Sequence, residues 1–193
     1  RLALSGALGE IQELELVSHF DPNPLIPFGW SHALAEGGGR MNNNLTHKLA
    51  IAARITGASI LEAAGECRND LRRAPAMPAG HDFRERERFA PSPQQAAQGQ
   101  WRAVDSDWSY TVMAHLGSPE RPISAWFRHS GLHPRLDRDH VAVYGSQGAL
   151  FIEGCYGQGA LFFKARGRSW QSLELPGDIR EGLPDVAGDT ERN

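Results

Sequence analysis

The stretch EGGGRMNNNLTHKLAIAARITG, which runs from Glu36 to Gly57, decides the fold expected for this chain. Three consecutive glycines allow close backbone approach and unusual backbone angles at the entry to a helix. We predict that the helix runs from Met41 to Thr56 and that Gly57 follows its C-terminus. At about 100° per residue the helix has one apolar face, formed by Leu45, Leu49, Ala52, Ala53 and Thr56.

A second face of this helix carries Asn43 and His47, one turn apart. A histidine can accept or donate a proton near neutral pH, and an asparagine amide can bind a hydroxyl group. The helix N-terminus also favours an electron-rich group. Two interpretations are open: an active-site histidine, or a packed histidine bonded to a neighbouring strand. The local pattern by itself slightly favours the packed histidine.

Periodicity elsewhere in the chain predicts strands. Residues 10–20 alternate between apolar and polar side chains, residues 58–67 read as a strand, and several strands follow from Trp108 onwards. The turn sequences at 145–148 and 166–168 predict two hairpins. We therefore expect an α+β domain with an open, predominantly antiparallel meander and helices packed on one face.

The intervening region, residues 68–102, lacks strand periodicity, and we interpret it as a long excursion with a short helix near 93–98. We expect one domain over residues 1–176, and we interpret the polar residues 177–193 as a truncated tail. The strands from 108 to 175 present Met113, Trp126 and Arg128 away from the expected core. These residue types are enriched at interfaces, so we predict a homo-oligomer formed through the sheet.

Composition narrows the range of functions. The chain has 193 residues and a net charge of −3, which argues against a nucleic-acid partner. No apolar run is long enough for a membrane span, and cytoplasm is the default compartment. Cys67 and Cys155 lie far apart and provide no metal framework. We interpret the segment with His129 and His133 as a surface loop rather than a zinc site, because Gly131 interrupts any helical face.

The order of several segments resembles the C-terminal domain of the Gfo/Idh/MocA oxidoreductases, the family of glucose–fructose oxidoreductase and inositol dehydrogenase. These segments are ALGEIQELEL, EGGGRMNNNLTHKLAIAARITG, ILEAAGE, DWSYTVMAHLG and VAVYGSQGALFIEG, and the likeness runs from about Gly6 to Leu175. The resemblance implies a dihydrodipicolinate-reductase-like C-terminal domain. It also implies that NAD or NADP is bound by an N-terminal Rossmann domain, which this chain lacks.

The resemblance further implies which residues form the site. Family members oxidise a sugar, polyol or related hydroxy compound, and His47 matches the histidine that acts as proton acceptor. Asn43 and Asn44 are the expected ligands for substrate hydroxyl groups, with Arg40 and Trp30 as further pocket residues. A lysine from the Rossmann domain, in a Glu-Lys-Pro motif, would complete the site.

The chain departs from the family pattern in ways that affect catalysis. Asn43 stands where dehydrogenase members have an aspartate, and Ala50 stands where an acidic residue is common. Because the Rossmann domain and the Glu-Lys-Pro motif are also missing from this sequence, we expect the chain to be inactive by itself and to contribute to a full-length dehydrogenase. The alternative is a non-catalytic sugar-binding or oligomerisation module on the same scaffold.

Overall fold

The computed structural model describes residues 2–76, 88–132, 139–154 and 159–174. Two α-helices and ten strands lie in this part of the chain, together with short 3₁₀ and π-helical turns. The expectations for the polar tail at 177–193 and for His133 fall outside the described residues. The elements are β1 (Ile11–His19), α1 (Thr46–Thr56), β2 (Ile60–Arg68), β3 (Arg73–Pro75), α2 (Pro93–Gln98), β4 (Trp101–Ala103), β5 (Ser109–Ser118), β6 (Arg121–Ser130), β7 (His140–Gly145), β8 (Gly148–Glu153), β9 (Leu161–Ala165) and β10 (Gln171–Leu173).

Eight strands form one mixed, largely antiparallel sheet in the order β10-β9-β8-β7-β1-β6-β5-β2. This confirms an α+β fold, and both predicted hairpins are present. The expected simple meander is wrong at one point, because β1 inserts between β6 and β7. It pairs parallel with β6 and antiparallel with β7. The chain's first strand thus lies at the centre of the sheet, where it is buried between later strands.

One face of the sheet, the inner face, carries α1 and the main core. Alternation along β1 and β6 turns Leu14, Leu16 and Phe127 to this side, and each is fully buried. Leu45 and Ala52 of the helical segment complete the core from above. The helix ends as predicted. Gly57 adopts a φ of 68°, and its N–H donates to the Ala53 carbonyl at 2.8 Å.

The opposite face of the sheet, the outer face, has no helix packed on it within the described residues. Met113 and Trp126 are exposed here, at 48% and 44% of their surface, as the alternation predicted. They are register partners on β5 and β6.

The excursion between β2 and β5 contains more structure than its composition predicted. The short helix is confirmed as α2, where Ser92 caps the first turn and Pro93 occupies the first helical position. The absence of strands was wrong, because β3 and β4 pair as a two-stranded sheet. This sheet covers a second apolar cluster formed by Ile26, Phe28, Leu71, Ala74, Val104 and Trp108.

None of the helices in the described part of the chain is long and apolar enough to cross a membrane. The expected division between a domain at 1–176 and a tail stays a prediction.

Candidate functional site

The glycine turn brings the backbone of three segments together before the helix. A Cβ atom on Gly38 would lie 2.6 Å from the carbonyl oxygens of both Trp30 and Ala33. Gly39 has a φ of 102°, and a Cβ there would lie 2.4 Å from Oδ1 of Asp107. The glycines are therefore needed for close approach and for a left-handed backbone, as the sequence indicated.

Asp107 holds the start of the helical segment. Its Oδ2 accepts a hydrogen bond from the Met41 N–H at 2.9 Å, and its carbonyl accepts one from the Arg40 N–H at 3.1 Å. A carboxylate in this position satisfies free N–H groups and interacts favourably with the helix dipole. The loop before β5 thus fixes the entry to the helix.

We predict that Gly39→Ala will cost more stability than Gly37→Ala. Both glycines have positive φ, but a Cβ on Gly37 would meet no atom within 4 Å. Gly37→Ala should therefore lower the free energy of unfolding by about 1–2 kcal/mol, the backbone cost alone. Gly39→Ala should cost about 1 kcal/mol more, because it displaces the capping carboxylate of Asp107.

Urea unfolding of both variants, repeated in an Asp107→Ala background, measures this difference. The extra cost of Gly39→Ala should disappear when Asp107 is absent. Equal costs for the two glycine variants would contradict the capping role.

The helical segment begins with a π-helical turn at Met41–Leu45 and continues as α1. Such turns occur frequently at functional sites. They also change which side chains share a face, because the residues per turn differ from those of an α-helix. The face that contacts the sheet here carries Asn44 and Lys48, which are 7% and 3% exposed. The helix begins and ends as predicted. Its buried polar stripe, however, is formed by Asn44 and Lys48 rather than by Asn43 and His47.

Asn43 and His47 lie on the neighbouring, more accessible side of the same helix. His47 is exposed and Asn43 is half-buried. The two residues are one turn apart, so a ligand resting on this side could contact both. Their arrangement allows hydroxyl binding by the amide and proton transfer by the imidazole.

Asn44 lies behind this accessible side, in a buried network. The Tyr110 hydroxyl donates to Asn44 Oδ1 at 2.6 Å, and the Ser18 hydroxyl donates to the same oxygen at 3.4 Å. Ser18 Oγ also lies 2.8 Å from Nδ1 of His129. The network ties the start of the helical segment to β1, β5 and β6. The substrate contact expected of Asn44 stays a prediction, and its oxygen already holds the helix to the sheet.

Lys48 extends the buried stripe. Its Nζ donates to the Arg128 carbonyl and lies 5.2 Å from the centre of the Tyr110 ring. A buried ammonium group is costly unless hydrogen bonds or aromatic faces compensate it. Here a backbone carbonyl and a ring provide that compensation.

The pKa of His129, a member of this cluster, is strongly shifted. This residue lies on β6 and is only 4% exposed, so the interpretation as a surface loop was wrong for His129. Burial lowers the pKa of His129 to about 3, and the positive charges of Arg40, Lys48 and His19 contribute further. The imidazole is therefore neutral at physiological pH. Among the described residues, its buried Nε2 has no hydrogen-bond partner.

Arg40 and Trp30 border the same region. The Arg40 guanidinium lies between two rings, 4.6 Å from the centre of Trp108 and 5.0 Å from that of Phe20. This contact orients its N–H groups. Trp30 begins a short 3₁₀ turn whose carbonyl oxygen packs on Gly38. The predicted site residues therefore surround one helix entry, although Asn44 is buried and His47 is exposed.

The sequence patterns did not identify the residues that the sheet contributes to this cluster. Ser18, Tyr110 and His129 occupy strand positions that alternate in phase with core residues. A polar side chain at a core position is the signal that could have identified them. The spacing of Arg40, Asn44 and Lys48, four residues apart each time, carried the same information about the helix.

No protein-family model matches the chain, and no curated protein sequence matches it significantly. Solved structures do resemble it. An NAD-binding oxidoreductase from Klebsiella pneumoniae is 18% identical with a TM-score of 0.68, over 89% of this chain and 42% of that chain. Levoglucosan dehydrogenase, in complex with NADH and L-sorbose, is 16% identical with a TM-score of 0.69. The match covers 96% of this chain and 46% of that chain.

The transcriptional regulator Gal80p from Kluyveromyces lactis also resembles the chain. It is 15% identical with a TM-score of 0.65, over 97% of this chain and 44% of that chain. At these identities the likeness shows the fold alone. The chain spans less than half the length of these proteins, and its fold is one that NAD-binding oxidoreductases and Gal80p contain.

Proposed function

We propose that this chain is the substrate-binding and oligomerisation domain of an NAD(P)-dependent oxidoreductase that acts on a sugar, polyol or related hydroxy compound. The accessible pair of Asn43 and His47, at a helix entry fixed by glycines and Asp107, carries the proposal. The fold supports it, because levoglucosan dehydrogenase shares that fold and has been solved with NADH and L-sorbose. The finer classification as a dihydrodipicolinate-reductase-like domain belongs to the same proposal.

His47 is the proposed proton acceptor for the substrate hydroxyl that is oxidised. Its exposed imidazole leaves room for a ligand, and Asn43 can hold a neighbouring hydroxyl as donor or acceptor. Arg40 and Trp30 are the proposed flanking contacts. Asn44, bonded to Tyr110, keeps the helix entry at a fixed distance from the sheet.

The glycine turn at 37–39 follows a 3₁₀ turn rather than a strand, and it lacks the spacing of a dinucleotide-binding loop. The proposal therefore assigns NAD or NADP to a separate Rossmann domain. This chain would provide substrate binding and proton transfer.

A non-catalytic module on the same scaffold is the second candidate. Asn43 favours it, since an amide cannot supply the charge of the aspartate that the family pattern has there. The fold likeness to a transcriptional regulator also favours it.

The complete gene product distinguishes the two candidates. We expect the sequence encoded upstream of Arg1 to contain a Rossmann fingerprint and a Glu-Lys-Pro motif. The full-length protein should then oxidise at least one member of a panel of sugars and polyols with NAD or NADP. A complete gene without these motifs, whose product has no such activity, would support the non-catalytic module.

We also propose that two copies associate through the outer face. Met113 and Trp126 border a hollow of about 330 Å³ there, lined in addition by Glu62, Ala64 and His115. Large exposed aromatic and methionine side chains beside a hollow are typical of interface centres.

Trp126→Glu should weaken this self-association by at least about tenfold, because tryptophan is a frequent hot spot and a carboxylate would be buried unpaired. Sedimentation velocity across a concentration series measures the change. Trp170→Glu is the matched control, since Trp170 is equally exposed but lies between β9 and β10. A wild-type protein that stays monomeric at high micromolar concentration would contradict the proposal.

A further inference from the structure

Positive charge collects around the entry to the helical segment, although the whole chain has a net charge of −3. Arg40 is half-buried there, and Lys48 lies about two turns further along with only 3% of its surface exposed. Both charges, together with that of His19, act on His129 and help to lower its pKa. The field beside His129 is therefore positive, and it favours a ligand that carries negative charge.

The Arg40 guanidinium lies in a slot at the end of the sheet. Phe20 and Trp108 form the sides of this slot, with ring centres 5.0 Å and 4.6 Å from the guanidinium carbon. Gly131 follows β6 beside Trp108, and it adds no side chain to the slot. The two aromatic rings hold the guanidinium in place, so its planar fork of N–H groups is preorganised for a carboxylate.

His129 adds a buried hydrogen-bond acceptor to the same cluster. The Ser18 hydroxyl donates to Oδ1 of Asn44, so its oxygen accepts from the Nδ1–H group of His129 at 2.8 Å. This tautomer leaves a lone pair on Nε2, the ring nitrogen further from the strand backbone. Because the side chain lies on the inner face, Nε2 points toward the helical segment. Among the described residues this nitrogen has no hydrogen-bond partner, and a ligand hydroxyl would provide one.

The spacing along the helical segment sets the length of a ligand that reaches both Arg40 and His47. Arg40 begins the stripe that faces the sheet, and Asn43 and His47 lie on the adjacent, more accessible side. Seven residues separate Arg40 from His47, which is roughly 10 Å of helix. A chain of six carbon atoms spans about 6 Å, and a hydrogen bond of about 3 Å at each end covers the remaining distance.

We propose that the site at the helix entry takes a sugar acid, a hydroxy compound of about six carbons that carries a carboxylate. The carboxylate binds Arg40, a hydroxyl near it donates to Nε2 of His129, and a hydroxyl toward the other end lies at Asn43 and His47. This inference rests on the proposed function and adds the charge of the substrate to it. In the reaction the oxidised carbon gives a hydride to oxidised NAD or NADP, His47 accepts the hydroxyl proton, and the carboxylate is unchanged.

Isothermal titration calorimetry of the full-length protein with D-gluconate tests the binding, with NADH or NADPH present so that no oxidation occurs. Gluconate should bind saturably, with a dissociation constant of about 1 mM or below. D-Sorbitol, which has the same carbon chain without the carboxylate, should bind at least about tenfold more weakly. Arg40→Gln should weaken gluconate binding by at least about tenfold and so remove the preference over sorbitol. Arg54→Gln is the matched control, because Arg54 is an exposed arginine two turns beyond His47, and it should keep the wild-type preference.

Arg40→Lys is the second variant if Arg40→Gln does not fold. It keeps a charge beside the rings but loses the fork, so gluconate should bind about threefold more weakly or worse. Absence of saturable gluconate binding would overturn the proposal, as would equal affinities of the wild type for gluconate and sorbitol. Unchanged gluconate binding in folded Arg40→Gln would do the same. Tighter binding of D-glucose 6-phosphate than of gluconate would overturn the choice of a carboxylate over a phosphate.

Steady-state oxidation by the full-length protein separates this inference from the proposed function. Oxidation of sorbitol in preference to gluconate would contradict the inference and leave the proposed function intact. Gluconate binding that depends on Arg40, without oxidation of any compound in the panel, would support the inference and remove the dehydrogenase role.

Discussion

Replacing His47 by alanine in the full-length protein should reduce turnover by roughly 10²–10⁴-fold, the usual contribution of a general acid or base. The reason is that alanine cannot accept the proton of the hydroxyl group that is oxidised. The substrate KM should change much less than kcat, because Asn43 and the other pocket residues remain. Steady-state kinetics with the best substrate from the sugar and polyol panel provide the measurement.

Arg54→Ala is the control for this experiment. Arg54 is exposed on the same helix, two turns beyond His47. Its replacement should leave kcat and KM within about twofold, the range of ordinary surface substitutions. Unchanged kinetics in His47→Ala, with a substrate that the wild type oxidises well, would remove His47 from the proposed mechanism.

We expect the protein to lose stability as the pH falls below about 6.5, the ordinary pKa of histidine, because His129 is buried in its neutral form. Its pKa is about 3 in the folded protein, against 6.5 when unperturbed. Between these values the unfolded chain binds a proton that the folded protein does not. This contribution to stability is therefore complete above about pH 6.5 and is lost as the pH falls toward 3. The loss should be roughly 2 kcal/mol between pH 6 and pH 4.5.

Urea unfolding at several pH values measures this contribution. His129→Asn should flatten the pH dependence by about one proton, or ~1.4 kcal/mol per pH unit. Ser18→Ala is the control, because it removes the hydroxyl beside Nδ1 but keeps the histidine. It should lower stability by about 1 kcal/mol at every pH and retain the wild-type slope. Identical slopes for wild type and His129→Asn would contradict the linkage.

The sequence correctly predicted the elements that are specified by a few neighbouring residues. The helix around His47, its end at Gly57 and the hairpin at residues 145–148 all follow from periodicity and turn residues a few positions apart. Even the short helix at Pro93–Gln98 was predictable, since its cap and its first-turn proline are adjacent in sequence. The strands β3 and β4 were missed because each is only three residues long, too short for alternation to be visible.

The central position of β1 could not be predicted in the same way. Its pairing with β6 joins Leu14 to Ala125, more than a hundred residues later in the chain. Such partners are chosen by packing of the whole sheet, and no local pattern records the choice. The same pairing places Ser18 beside His129 and so creates the buried network.

The sequence by itself determined the features of the candidate site segment: glycines for a tight entry, a helix after them, and Asn43 and His47 one turn apart. These follow from backbone conformational preferences and helical geometry, which act over a few residues. Only the tertiary structure decided that Asn44 and Lys48 face the sheet and that His129 is held neutral. Those properties depend on burial and on charges from distant strands, and both arise only when the sheet assembles.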